Sequence, residues 1–148
     1  MNVPGRFVIA GKSTGIVPTT STRAELARLE LRLEASPASV AQARREVSAF
    51  ARRHALAESA DVALAVTEAV TNAVIHAYRD GAEGRMRVVA CAREDGLLVV
   101  VRDYGCGMQP NPHSPGPGLG LSVIGAIAHE MSIERPDEGG TRIRMHFR

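Results

Sequence analysis

Three polar side chains recur every fourth residue in one otherwise apolar stretch: Glu68, Asn72 and His76. At 3.6 residues per turn that spacing stacks them along one side of a helix. The residues around them are Val62, Leu64, Ala65, Val66, Ala69, Val70, Ala73, Val74 and Ala77. A helix apolar on most of its faces is a buried helix. A carboxylate withdrawn from water without a partner costs several kcal/mol, and an unsatisfied amide about 1–3 kcal/mol. Something polar must therefore face the stripe. A hydrated metal carrying phosphates suits a carboxylate and an amide set one turn apart.

Two glycine clusters extend this chemistry. Asp103-Tyr104-Gly105-Cys106-Gly107-Met108 follows a run of valines that reads as a buried strand. An acidic residue at the end of such a strand packs poorly. Its carboxylate can accept a hydrogen bond from the exocyclic amino group of adenine, where guanine presents an oxygen. Gly105 and Gly107 let the backbone approach a flat ligand. Gly116-Pro117-Gly118-Leu119-Gly120-Leu121 runs straight into a helix, whose first-turn N–H groups and dipole make a phosphate cradle. Taken singly, an Asp-capped turn accounts for the first cluster and a flexible loop for the second. A third candidate, Gly11-Lys12-Ser13-Thr14, fails as a phosphate loop. Five residues separate Gly5 from Gly11 where the motif needs four, and no helix pattern follows.

The elements that must position these groups follow from periodicity. Residues 1–22, rich in Gly, Ser, Thr and Pro, read as a flexible arm, with Phe7-Val8-Ile9-Ala10 as a candidate edge strand, and one domain over residues 23–148 follows. Ala27, Leu29, Leu31, Leu33 and Ala35 alternate with Arg28, Glu30, Arg32 and Glu34, the pattern of a half-buried strand. Ser36-Pro37 caps and opens a helix to about Ala55. Ser59 is the expected cap of the central helix, which runs to about Arg79-Asp80-Gly81. Arg85–Arg93 and Leu97–Arg102 predict an antiparallel hairpin around Glu94-Asp95-Gly96. After the broken stretch 104–118 come a helix to about His129 and two strands, Met131–Glu134 and Thr141–Phe147, around Asp137-Glu138-Gly139-Gly140. Helices grouped between hairpin-linked strands predict an α+β fold, a mixed or antiparallel sheet with its helices layered on one face.

Composition narrows the function classes. The 45% hydrophobic and 23% charged content is that of a globular domain, and 148 residues suffice for one core. A net charge of +2 is too small to argue for direct nucleic-acid binding, although seventeen of the eighteen basic residues are arginine. Cys91 and Cys106 are isolated, which disfavours thiolate metal chelation and fits a reduced, cytoplasmic home. No apolar run is long enough to span a bilayer, and no signal-peptide core opens the chain.

The three motifs in this order resemble the GHKL ATPase superfamily, which includes histidine-kinase catalytic domains, gyrase and mismatch-repair proteins. The likeness covers roughly residues 24–148 and is closer to RsbW-type anti-sigma factors. Thr67-Glu68-Ala69-Val70-Thr71-Asn72-Ala73-Val74-Ile75-His76-Ala77-Tyr78 is very near the wording of their N-box, and Gly139-Gly140-Thr141 before a strand also matches. The resemblance implies the Bergerat-type ATP-binding fold. It implies Asn72 as a Mg²⁺ ligand and Glu68 as general base. It further implies Asp103 as the adenine selector with Gly105, Gly107 and Thr141 in the same pocket, and Gly116, Gly118, Leu119 and Gly120 around the phosphates. His76 fits the motif's wording and equally a structural histidine.

The expected function is an ATP-binding anti-sigma factor and serine/threonine protein kinase. It would hold a sigma factor and phosphorylate an anti-sigma-factor antagonist, and the family implies a homodimer. No helix pair bearing a phospho-accepting histidine precedes the ATP module, which disfavours a complete histidine kinase. The ten residues between Gly107 and Gly118 hold no Lys or Arg, so a lysine over the terminal phosphate has no counterpart. That departure supports an alternative, a nucleotide-sensing module that regulates its partner without phosphoryl transfer.

Overall fold

The computed structural model describes residues 6–9, 25–54, 56–78, 84–106 and 119–148. The strands are β1 (Arg6–Ile9), β2 (Glu25–Glu34), β3 (Arg85–Arg93), β4 (Gly96–Asp103), β5 (Glu130–Glu134) and β6 (Thr141–Phe147). The helices are α1 (Pro37–His54), α2 (Ser59–Asn72) and α3 (Leu119–Ile127), and a π-helical turn, Ala73–Ala77, extends α2. The strands form one six-stranded sheet in the order β1-β5-β6-β4-β3-β2. Every pair is antiparallel except β1 with β5, so the sheet is mixed.

Alternation within the strands decides where the core lies. Leu33 of β2, Val88 and Ala90 of β3, Leu97 and Val99 of β4, and Ile143 and Met145 of β6 point to one face and are buried. Helix α1 meets α2, β2 and β3; α2 meets β4 and α3; α3 meets β5. The helices thus share that face, and Val47, Phe50, Val62, Val66, Val70 and Ile124 complete the core. Each such side chain stabilises the fold by about 1.5–3 kcal/mol relative to exposure. The α+β layering expected from the sequence is the observed one. Among the described residues no helix is long and apolar enough to cross a membrane.

Three local features differ from the sequence reading. Ser59 is the first residue of α2, not its cap; Glu58 holds the cap position and makes no side-chain capping bond. The β3–β4 connection is a two-residue turn, because Gly96 already pairs with Arg93. Gly96 is required for another reason: its φ is +133°, and a Cβ there would strike the carbonyl of Phe147. The central helix is also less uniformly buried than its composition implies, with Leu64 44% and Ile75 58% exposed on its flank.

Candidate active site

The polar stripe of α2 is where the buried-polar argument from the sequence can be examined atom by atom. Asn72 is 8% exposed, and its Nδ2 is buried without a hydrogen-bond partner among the described residues. Glu68 lies one turn earlier on the same side and is half-buried. Facing both is Gly120, in the first turn of α3. A Cβ built there would stand 2.6 Å from Glu68 Oε2 and 3.5 Å from Asn72 Nδ2. The absence of a side chain at Gly120 is what lets the start of α3 approach the stripe. A carboxylate, an orphaned amide and a helix N-terminus therefore share one small region. Their chemistry fits a phosphate group with a hard cation: an amide oxygen suits Mg²⁺, and first-turn N–H groups suit phosphate oxygens. Among the described residues no group of three or more His, Cys, Asp or Glu gathers as a metal cluster.

His76 lies in the π turn that extends α2, where bonds run from i to i+5. Its carbonyl accepts a contact from Cys106 Sγ at 3.8 Å, which ties the end of the central helix to the segment following β4.

Asp103 closes β4 on the helix-facing side and is only 4% exposed. Its Oδ1 accepts the Gly105 N–H at 3.1 Å, and it pairs across the sheet with Thr141, itself 2% exposed. Burial raises its carboxyl above the usual aspartate range, opposed by backbone hydrogen bonds from Gly105 and Thr141 and by the nearby Arg102 charge. Asp103, Gly105 and Thr141 are thus brought together, as are Glu68, Asn72 and Gly120. Leu119 contributes the first residue of α3. Gly107, Gly116 and Gly118 lie outside the described residues.

Two supports were not read as such from the sequence. The Tyr78 hydroxyl donates to the Arg85 carbonyl and accepts the Tyr104 N–H at 3.0 Å, so one side chain joins the central helix to β3 and to the residue after Asp103. The ring leaves no room for a Cβ at Gly84. A tyrosine at the end of an Ala/Val helix was the available signal. Gly140 is the second support. At φ +76°, a Cβ there would collide with the Asp103 carbonyl oxygen. Gly140→Ala is expected to lower stability by about 2–3 kcal/mol, through backbone strain and displacement of the strand end. Denaturant unfolding would show it as a lower midpoint at unchanged slope.

A sheet with helices on one face, a polar stripe on its middle helix and a buried acid at a strand end together suit a nucleotide-binding domain. A family model described as the histidine kinase-like ATPase domain matches residues 33–147, and the chain belongs to that family, on the RsbW-type side that its motifs resemble. It is 34% identical to the anti-sigma F factor of Clostridium kluyveri, over 70% of this chain and 81% of that protein. It is 31% identical to the anti-sigma F factor of Clostridium novyi, over 60% of this chain and 69% of that one. With the anti-sigma F factor of Bacillus subtilis it shares 29% identity, over 60% and 68%.

Proposed function

We propose that this chain is an ATP-binding anti-sigma factor with serine/threonine protein kinase activity, which phosphorylates an anti-sigma-factor antagonist and binds a sigma factor as a homodimer. The observation that carries the proposal is the meeting of Glu68, Asn72 and Gly120 at one point. In this reading residues 23–148 are the catalytic domain and 1–22 an arm whose residues Arg6–Ile9 add the edge strand β1 to its sheet.

The substrate's adenine rests against Asp103, whose carboxylate accepts its amino N–H, while Gly105, Gly107 and Thr141 shape the same pocket. Asn72 would hold Mg²⁺ through its amide oxygen, and the charge such an ion supplies when bound would offset that of the phosphates. Gly116, Gly118, Leu119 and Gly120 let the backbone enclose the phosphates. Glu68 accepts the proton of the antagonist's Ser or Thr hydroxyl as that oxygen bonds to the terminal phosphorus and the bond to the ADP oxygen breaks. The relatives' name, anti-sigma F factor, supports the choice of partner.

A second reading, nucleotide-gated binding of a partner without phosphoryl transfer, is favoured by the lid sequence between Gly107 and Gly118, which holds no Lys or Arg. Incubation with radiolabelled ATP and candidate antagonists tests the choice. Label on an antagonist Ser or Thr is the expected result. ATP binding with no transfer to any antagonist would leave the second reading standing.

A further inference from the structure

The face of the sheet opposite the helices carries a row of like charges. Strand register sets Arg32 beside Arg87, Arg87 beside Arg102, and Arg102 beside Arg142, on four adjacent strands. Cross-strand neighbours of like charge destabilise a sheet unless they are compensated. Three of the four are compensated, Arg32 by donating from Nε to Glu30 Oε1 at 3.3 Å. Arg87 donates from Nε and Nη2 to the two carboxylate oxygens of Glu30 at 3.0 and 2.9 Å, and Arg142 donates to Glu134 at 3.1 Å.

Arg102, in the middle, is different. It is 7% exposed, its Nη1 is buried without a hydrogen-bond partner among the described residues, and its Nη2 lies 4.0 Å from Glu138 Oε2, on a side chain itself largely exposed. Its guanidinium lies 4.7 Å from the Tyr104 ring centre, which fixes its plane. A cavity of about 250 Å³ opens over this point, lined by Arg87, Arg102 and Arg142 together with Val89, Val100, Tyr104 and the carboxylate-bearing Glu138. A planar guanidinium with a free donor at the centre of a positive row is a receptor for an oxyanion.

We propose that this cavity binds a small oxyanion, a carboxylate or phosphate group, held by Arg102 between Arg87 and Arg142 on the sheet face away from the candidate nucleotide site. It stands independently of the kinase reading. Asp103, the residue after Arg102, points to the opposite face, so occupancy of the two sites can be followed separately.

The test is a titration of the full chain at low ionic strength with inorganic phosphate and with succinate, followed by amide NMR, with chloride as the control. Saturable shifts centred on Arg102, Tyr104 and Arg142 are expected with at least one probe. Response to phosphate alone assigns a phosphate-bearing ligand, and response to succinate alone a carboxylate. Arg102→Met should abolish the response. Arg142→Gln, at a more exposed wall position, should weaken it about tenfold while the fold persists, and so serves if the first variant does not fold. No saturable shift with either probe, or equal shifts in wild type and Arg142→Gln, would mean an adventitious ion only and overturn the site.

Discussion

Glu68→Gln is expected to lower the rate of label transfer from ATP to the antagonist by about 10²–10⁴-fold, the usual contribution of a general base. That is about 3–5 kcal/mol of transition-state stabilisation. Glutamine keeps the size of the side chain but takes up no proton, so ATP affinity should be nearly unchanged. Single-turnover transfer measured beside equilibrium ATP binding separates the two effects. Gly120→Ala offers a geometric companion. Its new methyl would stand 2.6 Å from Glu68 Oε2, the end of a flexible side chain that can yield. The fold should survive while transfer falls. If regulation of the partner survives Glu68→Ala unchanged, catalysis is not needed for it and the binding-module reading is the correct one.

Asp103→Ala should weaken ATP binding by about 1.5–3 kcal/mol, or about 10- to 150-fold in Kd, the range for a hydrogen bond to a charged group. It should also erase preference for ATP over GTP, because the acceptor for the adenine amino group is gone. The same residue gives a pH signature. The charged carboxylate accepts the amino N–H more strongly than the protonated acid does. ATP affinity should therefore be full above the raised Asp103 pKa and fall as pH drops through it, at a higher pH than an ordinary aspartate would dictate. Stability of the ligand-free protein should move the other way. A carboxyl whose folded pKa is raised binds its proton more tightly in the folded state. Its contribution is then present below the unfolded value and lost as pH rises through the folded one. Calorimetric titrations and unfolding curves over the same pH series would show the two opposed trends, and Asp103→Ala should flatten both.

Much of this site was legible because its chemistry is local in sequence. The alternation in β2, the four-residue spacing of Glu68 and Asn72, and the acid at the end of a valine strand each specify a direction for a side chain. Local spacing also found the β5–β6 turn at Asp137-Glu138-Gly139-Gly140. What escaped depends on contacts between distant segments. The need for glycine at Gly96 comes from Phe147, and at Gly140 from Asp103. Tyr78 has its role because Arg85 and Tyr104 converge on one hydroxyl. The arginine row exists only through the register of four strands, so seventeen arginines along the chain gave no hint of it.

Everything proposed for the kinase requires one cleft in which a carboxylate grips a purine while a helix flank and a bare backbone receive its phosphates. Isothermal titration of the wild-type chain with ATP, ADP and GTP, with and without Mg²⁺, measures that most directly. Saturable ATP binding that is weakened by removing Mg²⁺ and exceeds GTP binding is the predicted result. Absence of ATP binding, or equal affinity for GTP, would contradict the assignment of Asp103 and Asn72 together.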